Sequence, residues 1–140
     1  MLVLGTEFAS SKRKFKKRNR DLARTEFIST LINGRDSECI SQLRMDTSTF
    51  KMLCQRLRDK KLLRDTCQVS VEEALAEFMH TIAHSVKNRT NSFRFFRSGE
   101  TISRHFQEVL YAINRLAHDY FVQAGPHTPK GPYGFEVFFL

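Results

Sequence analysis

The sequence predicts an all-α fold: a small multi-helix domain with a helix-turn-helix-like C-terminal half, preceded by a disordered basic arm and followed by an irregular tail. Two observations carry this. Apolar residues recur at helical spacing in segment after segment between residues 26 and 123, and strong helix-start signals sit just ahead of them, while no segment with the two-residue period of a strand competes before the tail. The implied organisation is an arm over 1–25, one helical domain over 26–123 and a Pro/Gly-rich apolar tail over 124–140. With 140 residues there is room for one domain with a real core, and two would be cramped.

The arm is set apart by charge. The chain has a net charge of +8, and residues 1–36 hold nine Lys/Arg against four Asp/Glu, whereas residues 37–140 hold fourteen against eleven. Ser10 to Arg24 (SSKRKFKKRNRDLAR) packs eight Lys/Arg into fifteen residues with few apolar side chains, a composition that does not fold alone. Lys12, Arg13, Lys14, Lys16, Lys17, Arg18 and Arg20 suit a nuclear-import signal, contact with nucleic-acid phosphates, or both; the plainer reading is a solubilising tail.

Helical signals follow in order. Phe27, Ile28, Leu31 and Ile32 share a face that Asn33-Gly34 ends, and a short helix fits Ser37 to Arg44. Asp46 is an N-cap for a helix with Phe50, Leu53, Cys54 and Leu57 inside and Lys51, Arg58 and Lys61 outside. Ser70-Val71-Glu72-Glu73 is a capping box, with Val69 and Ala74 placed as its hydrophobic staple. The helix it opens has a core stripe of Leu75, Phe78, Ile82 and Val86 and an opposite stripe of Glu73, Glu77, His80 and His84, read as exposed. His80 and His84 have the spacing of a zinc pair and Cys67 precedes them suitably, but the Cys that should stand two to four residues before Cys67 is missing. No metal or other cofactor is expected.

The linker KNRTNSFRFFR leaves room for a short Phe-rich helix. A long helix then starts at Ser98, with Gly99 easing the turn and Glu100 favoured by the helix dipole, and runs to about Val122. Its core stripe is Ile102, Phe106, Val109, Leu110, Ile113, Leu116, Ala117 and Tyr120. The outward face carries Glu100, Arg104, Gln107, Tyr111, Arg115 and His118, with Thr101 and Ser103 on its flanks. Arg grips guanine, Gln grips adenine and Ser or Thr hold phosphate oxygens, so this face has the chemistry of a recognition helix. Lys87, Arg89, Arg94 and Arg97 lie just before it, placed as phosphate clamps.

Three further features narrow the function. No run of eighteen apolar residues exists, so no membrane partner is expected, and the opening MLVLGTEF is too short for a secretory core, which together with three unpaired-looking cysteines suits an intracellular protein. Cys39, Cys54 and Cys67 read as small core residues or bystanders. No phosphate-binding Gly loop or nucleophile motif is present, so neither an enzyme nor a small-molecule substrate is expected.

INGRDSECISQLRMDTSTFKMLC, VSVEEALAEFMHTIAHSVKNR and FRFFRSGETISRHFQEVLYAI, in that order and spacing, resemble the N-terminal helical region of plant Harbinger/PIF-type transposase-derived nuclease-like proteins over about residues 30–122. The resemblance implies a helix-turn-helix-like module ahead of an RNase-H-like nuclease domain, action in the nucleus on double-stranded DNA, and cooperation with a Myb/SANT-like or chromatin protein. Arg97, Thr101, Ser103, Arg104 and His105 match its SGET-SRH signature, and Lys87 and Arg89 its VKNR motif. Where the nuclease domain would begin, the chain runs into AGPHTPKGPYGFEVFFL, so the expectation is a truncated or aberrantly spliced DNA-binding module without nuclease activity. The alternatives are an adaptor that docks the partner through Tyr111 or the Glu73/Glu77/His80/His84 stripe, and a transposon remnant with no function. The apolar end of the tail, Phe135 and Val137 to Leu140, would either fold back on the domain or stay a sticky end.

Overall fold

A computed structural model describes the backbone of residues 4–120 and the side chains of residues 16–120. The tail from residue 121, its apolar end and the expected helix end at Val122 lie outside the described residues, as do the side chains of Lys12, Arg13 and Lys14. Six helices and no strand make up the described part: α1 (Leu4–Asn33), α2 (Asp36–Leu43), α3 (Thr47–Asp59), α4 (Val71–His84), α5 (Asn88–Arg94) and α6 (Gly99–His118).

The first helix begins earlier in the chain than its apolar spacing implies. Instead of starting after the basic run, α1 takes it in and extends for 30 residues. Lys, Arg, Ala, Leu and Glu are strong helix formers, and no Gly or Pro interrupts the chain between Thr6 and Asn33. Low apolar content argues against a core, but it does not argue against a helix that continues a packed one. The packed part is its C-terminal end, where Arg24, Ile28 and Leu31 are buried. Gly34 ends it: its N–H donates to Thr30 O at 2.9 Å, and an added Cβ would stand 2.2 Å from that same oxygen, so only glycine fits the turn.

The expected N-caps form, but the box at Ser70 closes only from one side, because the Glu73 carboxylate turns to Arg97 and Arg24 instead of the Ser70 N–H. Asp46 accepts from Thr49 N at 3.0 Å, and hydrogen bonds from Ser48 and Thr49 hold its carboxyl well below the usual range. Ser70 accepts from Glu73 N at 3.2 Å, and Ser98 from Thr101 N at 3.2 Å. Phe50, Cys54 and Leu57 of α3 are buried as their spacing implies, and burial pushes the Cys54 thiol up to about 12, leaving it a protonated core residue at neutral pH. Cys39 is buried and Cys67 exposed.

The fold is organised around α4, which packs against every other helix. Leu75, Ala76 and Phe78 lie in the core with Phe50, Leu43 and Ile102, and the Phe78 ring meets Phe106 at 4.9 Å. Two expectations for this helix fail for one reason. A helix surrounded on several sides has no wholly exposed face, so Glu73, Glu77 and His80 are buried, not exposed. His80 takes the inward position in the last turns, edge-on to Phe95 at 5.7 Å, and Ile82 is left 55% exposed.

Candidate nucleic-acid interface

Helices α4, α5 and α6 form a three-helix unit in which α5 and α6 are joined by the short turn 95–98. Polar groups inside the unit fix its geometry. The buried Asn91 of α5 donates from Nδ2 to Glu77 O at 3.1 Å, and its Oδ1 lies 2.7 Å from His80 Nδ1. Because an amide oxygen only accepts, His80 Nδ1 is the donor. Burial pushes the His80 imidazole below its ordinary value, which suits this neutral, hydrogen-bonded ring. Phe95, fully buried, locks the turn by packing edge-on to Phe27 at 5.5 Å. Phe96 adopts φ 52°, and Ser92 Oγ donates to Arg97 O at 2.5 Å, bending the chain into α6.

The inward side of α6 is tied to α4 by a buried pair, Glu77 Oε2 to His105 Nδ1 at 2.6 Å. Burial raises the Glu77 carboxyl from its ordinary value, with His105 opposing, and its second oxygen is buried without a hydrogen-bond partner. Beside it, Glu73 receives two guanidinium groups: Arg97 at 2.7 Å, and Arg24 of α1 with Nε at 3.0 Å. The Arg24 contact is an ion pair by distance, but its Nε lacks the alignment of a hydrogen bond. Three helices and the turn before α6 are thus clamped around two buried carboxylates.

The clamp divides the residues expected to touch DNA. Ser103, Arg104, Gln107 and Tyr111 are exposed on α6, and Thr101 is half-buried beside its cap. Lys87 and Arg89 are exposed at the start of α5 and pair with no acid among the described residues. Arg97 and Arg94 do not join them. Arg97 spends its guanidinium on Glu73 and the carbonyl of Gln68, while Arg94 donates to Gln42 Oε1 at 2.9 Å and lies 4.8 Å over the Phe27 ring, on the side of α1 and α2. His105, the fifth residue of the SGET-SRH match, is buried under α4.

The outward face of α6 is itself close to neutral, since Glu100 and Glu108 offset Arg104 and Arg115. Positive charge comes from its flanks. Lys16, Lys17, Arg18 and Arg20 are exposed on α1. Lys17 borders a cleft of about 570 Å³ together with Gln68, Ser70, Glu73 and Arg97, so the basic part of α1 runs beside the turn that opens α6.

The metal pair considered for α4 is occupied otherwise: His80 bonds Asn91, and His84 Nε2 lies 3.0 Å from Gln42 O. The sequence reading missed Asn91 and the inward roles of Glu77, His80 and His105. The available signal was angular, since His105 sits about 60° from Ile102 on a helical projection, inside the core stripe.

No helix among the described residues is long and apolar enough to cross a membrane. No curated protein and no solved structure matches the chain. A family description, Domain of unknown function (DUF8040), matches residues 19–115, which takes in the packed end of α1, all of α2 to α5 and most of α6. Covering well over half of the sequence, that match makes the chain a member of the DUF8040 family.

Proposed function

We propose that this chain is a duplex-DNA-binding module of the kind carried by Harbinger/PIF-type transposase-derived proteins, working in the nucleus and without a catalytic step of its own. In this reading α6 enters the major groove, Arg104 and Gln107 contact base edges, Ser103 and Thr101 contact phosphates near the helix start, and Lys87, Arg89 and the cations of α1 hold the backbone. The observation that carries it is a juxtaposition: Arg104 and Gln107 are exposed about one turn apart on a helix whose opening turn adjoins the exposed cations of α1. Readout and phosphate attraction are thereby assigned to different elements.

The adaptor reading loses most of the surface it relied on, because three of the four residues in its acidic and histidine stripe are buried. Tyr111 stays free, at 67% exposure.

The test is a duplex titration over a range of salt concentrations. The log–log slope is expected near −0.9 per phosphate contact. Replacing Lys16, Lys17, Arg18 and Arg20 by Gln should weaken every duplex alike and flatten the slope, whereas Arg104→Ala should reduce preference among sequences. If the α1 variant abolishes binding and Arg104→Ala changes nothing, the recognition-helix assignment is wrong and only nonspecific attraction remains.

A further inference from the structure

The C-terminal half of α6 borders a second surface, formed with the segment that leaves α3. That segment is held in place. Leu62 and Leu63 both donate to Leu57 O, at 3.0 and 3.2 Å, which requires Lys61 in the left-handed region at φ 55°. Arg58 grips Asp65 through two nitrogens at 2.9 and 2.8 Å and Glu72 at 2.7 and 2.6 Å. Lys60 Nζ reaches Asp119 Oδ2 at 2.9 Å, closing the segment onto the end of α6.

Two recesses of about 530 and 670 Å³ flank this closure and meet at Leu62 and Tyr111, which line both. Leu62, Leu63 and Tyr111 give them an apolar strip, and basic side chains surround it. Arg58 and Lys60 are neutralised by the acids just named, but Lys61, Arg64 and Arg115 have no acidic partner among the described residues, and Glu108 is the one lining acid left to offset them. The groove is therefore preformed, holds an exposed aromatic ring, and keeps uncompensated positive charge on its rim.

We propose that this groove docks an acidic peptide segment of a partner protein, with one bulky apolar side chain between Leu62 and Tyr111 and carboxylates on Lys61, Arg64 and Arg115. Charge complementarity selects an acidic ligand, and shape selects a peptide over a duplex. The recesses hold Leu62, Leu63 and an exposed Tyr111 ring, where an apolar anchor of a peptide gains from desolvation, while a nucleic-acid backbone has no apolar group to place there. The proposal stands independently of the DNA reading, which rests on Arg104, Gln107, α1 and the start of α5.

The experiment is fluorescence anisotropy on the full chain, using a short labelled peptide in which Asp and Glu flank one Leu-Phe pair, the same peptide with Ala-Ala at that pair, and a labelled duplex. The Leu-Phe peptide is expected to bind, and the Ala-Ala peptide to bind more weakly. Lys61→Gln/Arg64→Gln, both away from the α6 face, and, separately, Tyr111→Ala should each weaken the peptide by about tenfold, the loss of a hot-spot contact. These residues are exposed, so thermal melts should be unchanged, and the double variant should leave duplex affinity as it was. The proposal is overturned if the peptide does not bind, if neither variant affects it, or if the double variant weakens the duplex as much as the peptide, which would make the groove part of the nucleic-acid surface. Loss of duplex binding by the unaltered chain, with peptide binding intact, would sink the DNA reading alone.

Discussion

Helices α4 and α6 each carry a polar stripe opposite an apolar one, and on a helical projection the two look alike. In the folded chain they part. The α4 stripe is buried at Glu73, Glu77 and His80, and each of these side chains has a partner: Arg97 and Arg24, His105, and Asn91. The α6 stripe stays exposed at Arg104, Gln107, Tyr111 and Arg115. The difference is one of position, because α4 is central and α6 leaves one side uncovered. A polar stripe therefore reports function only when no neighbouring helix covers it; when covered, its polar groups must find partners, and they become framework.

The largest expected effect comes from breaking the α4 stripe. Glu77→Ala leaves His105 buried without its carboxylate and should cost about 3–5 kcal/mol, whereas Glu77→Leu combined with His105→Leu should recover much of that loss. Urea unfolding of the two variants and the parent checks this. If Glu77→Ala is neutral, the buried pair does not organise the fold.

A smaller effect is expected from pH. His80 has a folded value below its ordinary 6.5, so just below pH 6.5 the unfolded chain binds more protons than the folded one, and stability falls on acidification. Glu77 acts in the opposite sense. Its folded value is raised above 4.5, so the folded chain binds more protons above that point, and stability is lost as pH rises through that window. Replacing His80 by Gln removes only the first contribution. Unfolding midpoints measured between pH 7.5 and 5.5 should fall less in His80→Gln than in the parent; parallel curves would mean that His80 does not titrate as its burial implies.

The smallest effect on stability is expected on α6. Arg104→Ala and Gln107→Ala remove exposed side chains with no partner among the described residues and should move stability by less than about 0.5 kcal/mol. A clear loss would show that this face, too, is framework.

The sequence carried the helices well because the cues were local. Caps at Asp46, Ser70 and Ser98, the Gly34 stop and the apolar spacing of α3 and α6 all appear as read. Two errors have a nonlocal cause. Whether Glu77 is exposed depends on where α6 lies, and His105, its partner, is 28 residues away. Whether Arg97 is free depends on Glu73, 24 residues earlier. The early start of α1 has another cause: apolar spacing marks only the packed end of a helix, while high helix propensity lets it extend through a basic run that adds nothing to the core. The groove beside Tyr111 was legible only as separate residues, because the turn at Lys61 is what brings Leu62 and Arg64 against α6.

The division between a framework stripe and a reading stripe is tested most directly by selection from a random duplex library at physiological salt, run with the unaltered chain and with Arg104→Ala/Gln107→Ala. Enrichment of a motif by the former, lost or relaxed in the latter with an unchanged melting temperature, is the expected result. Enrichment of no motif, or of the same motif by both proteins, would contradict it.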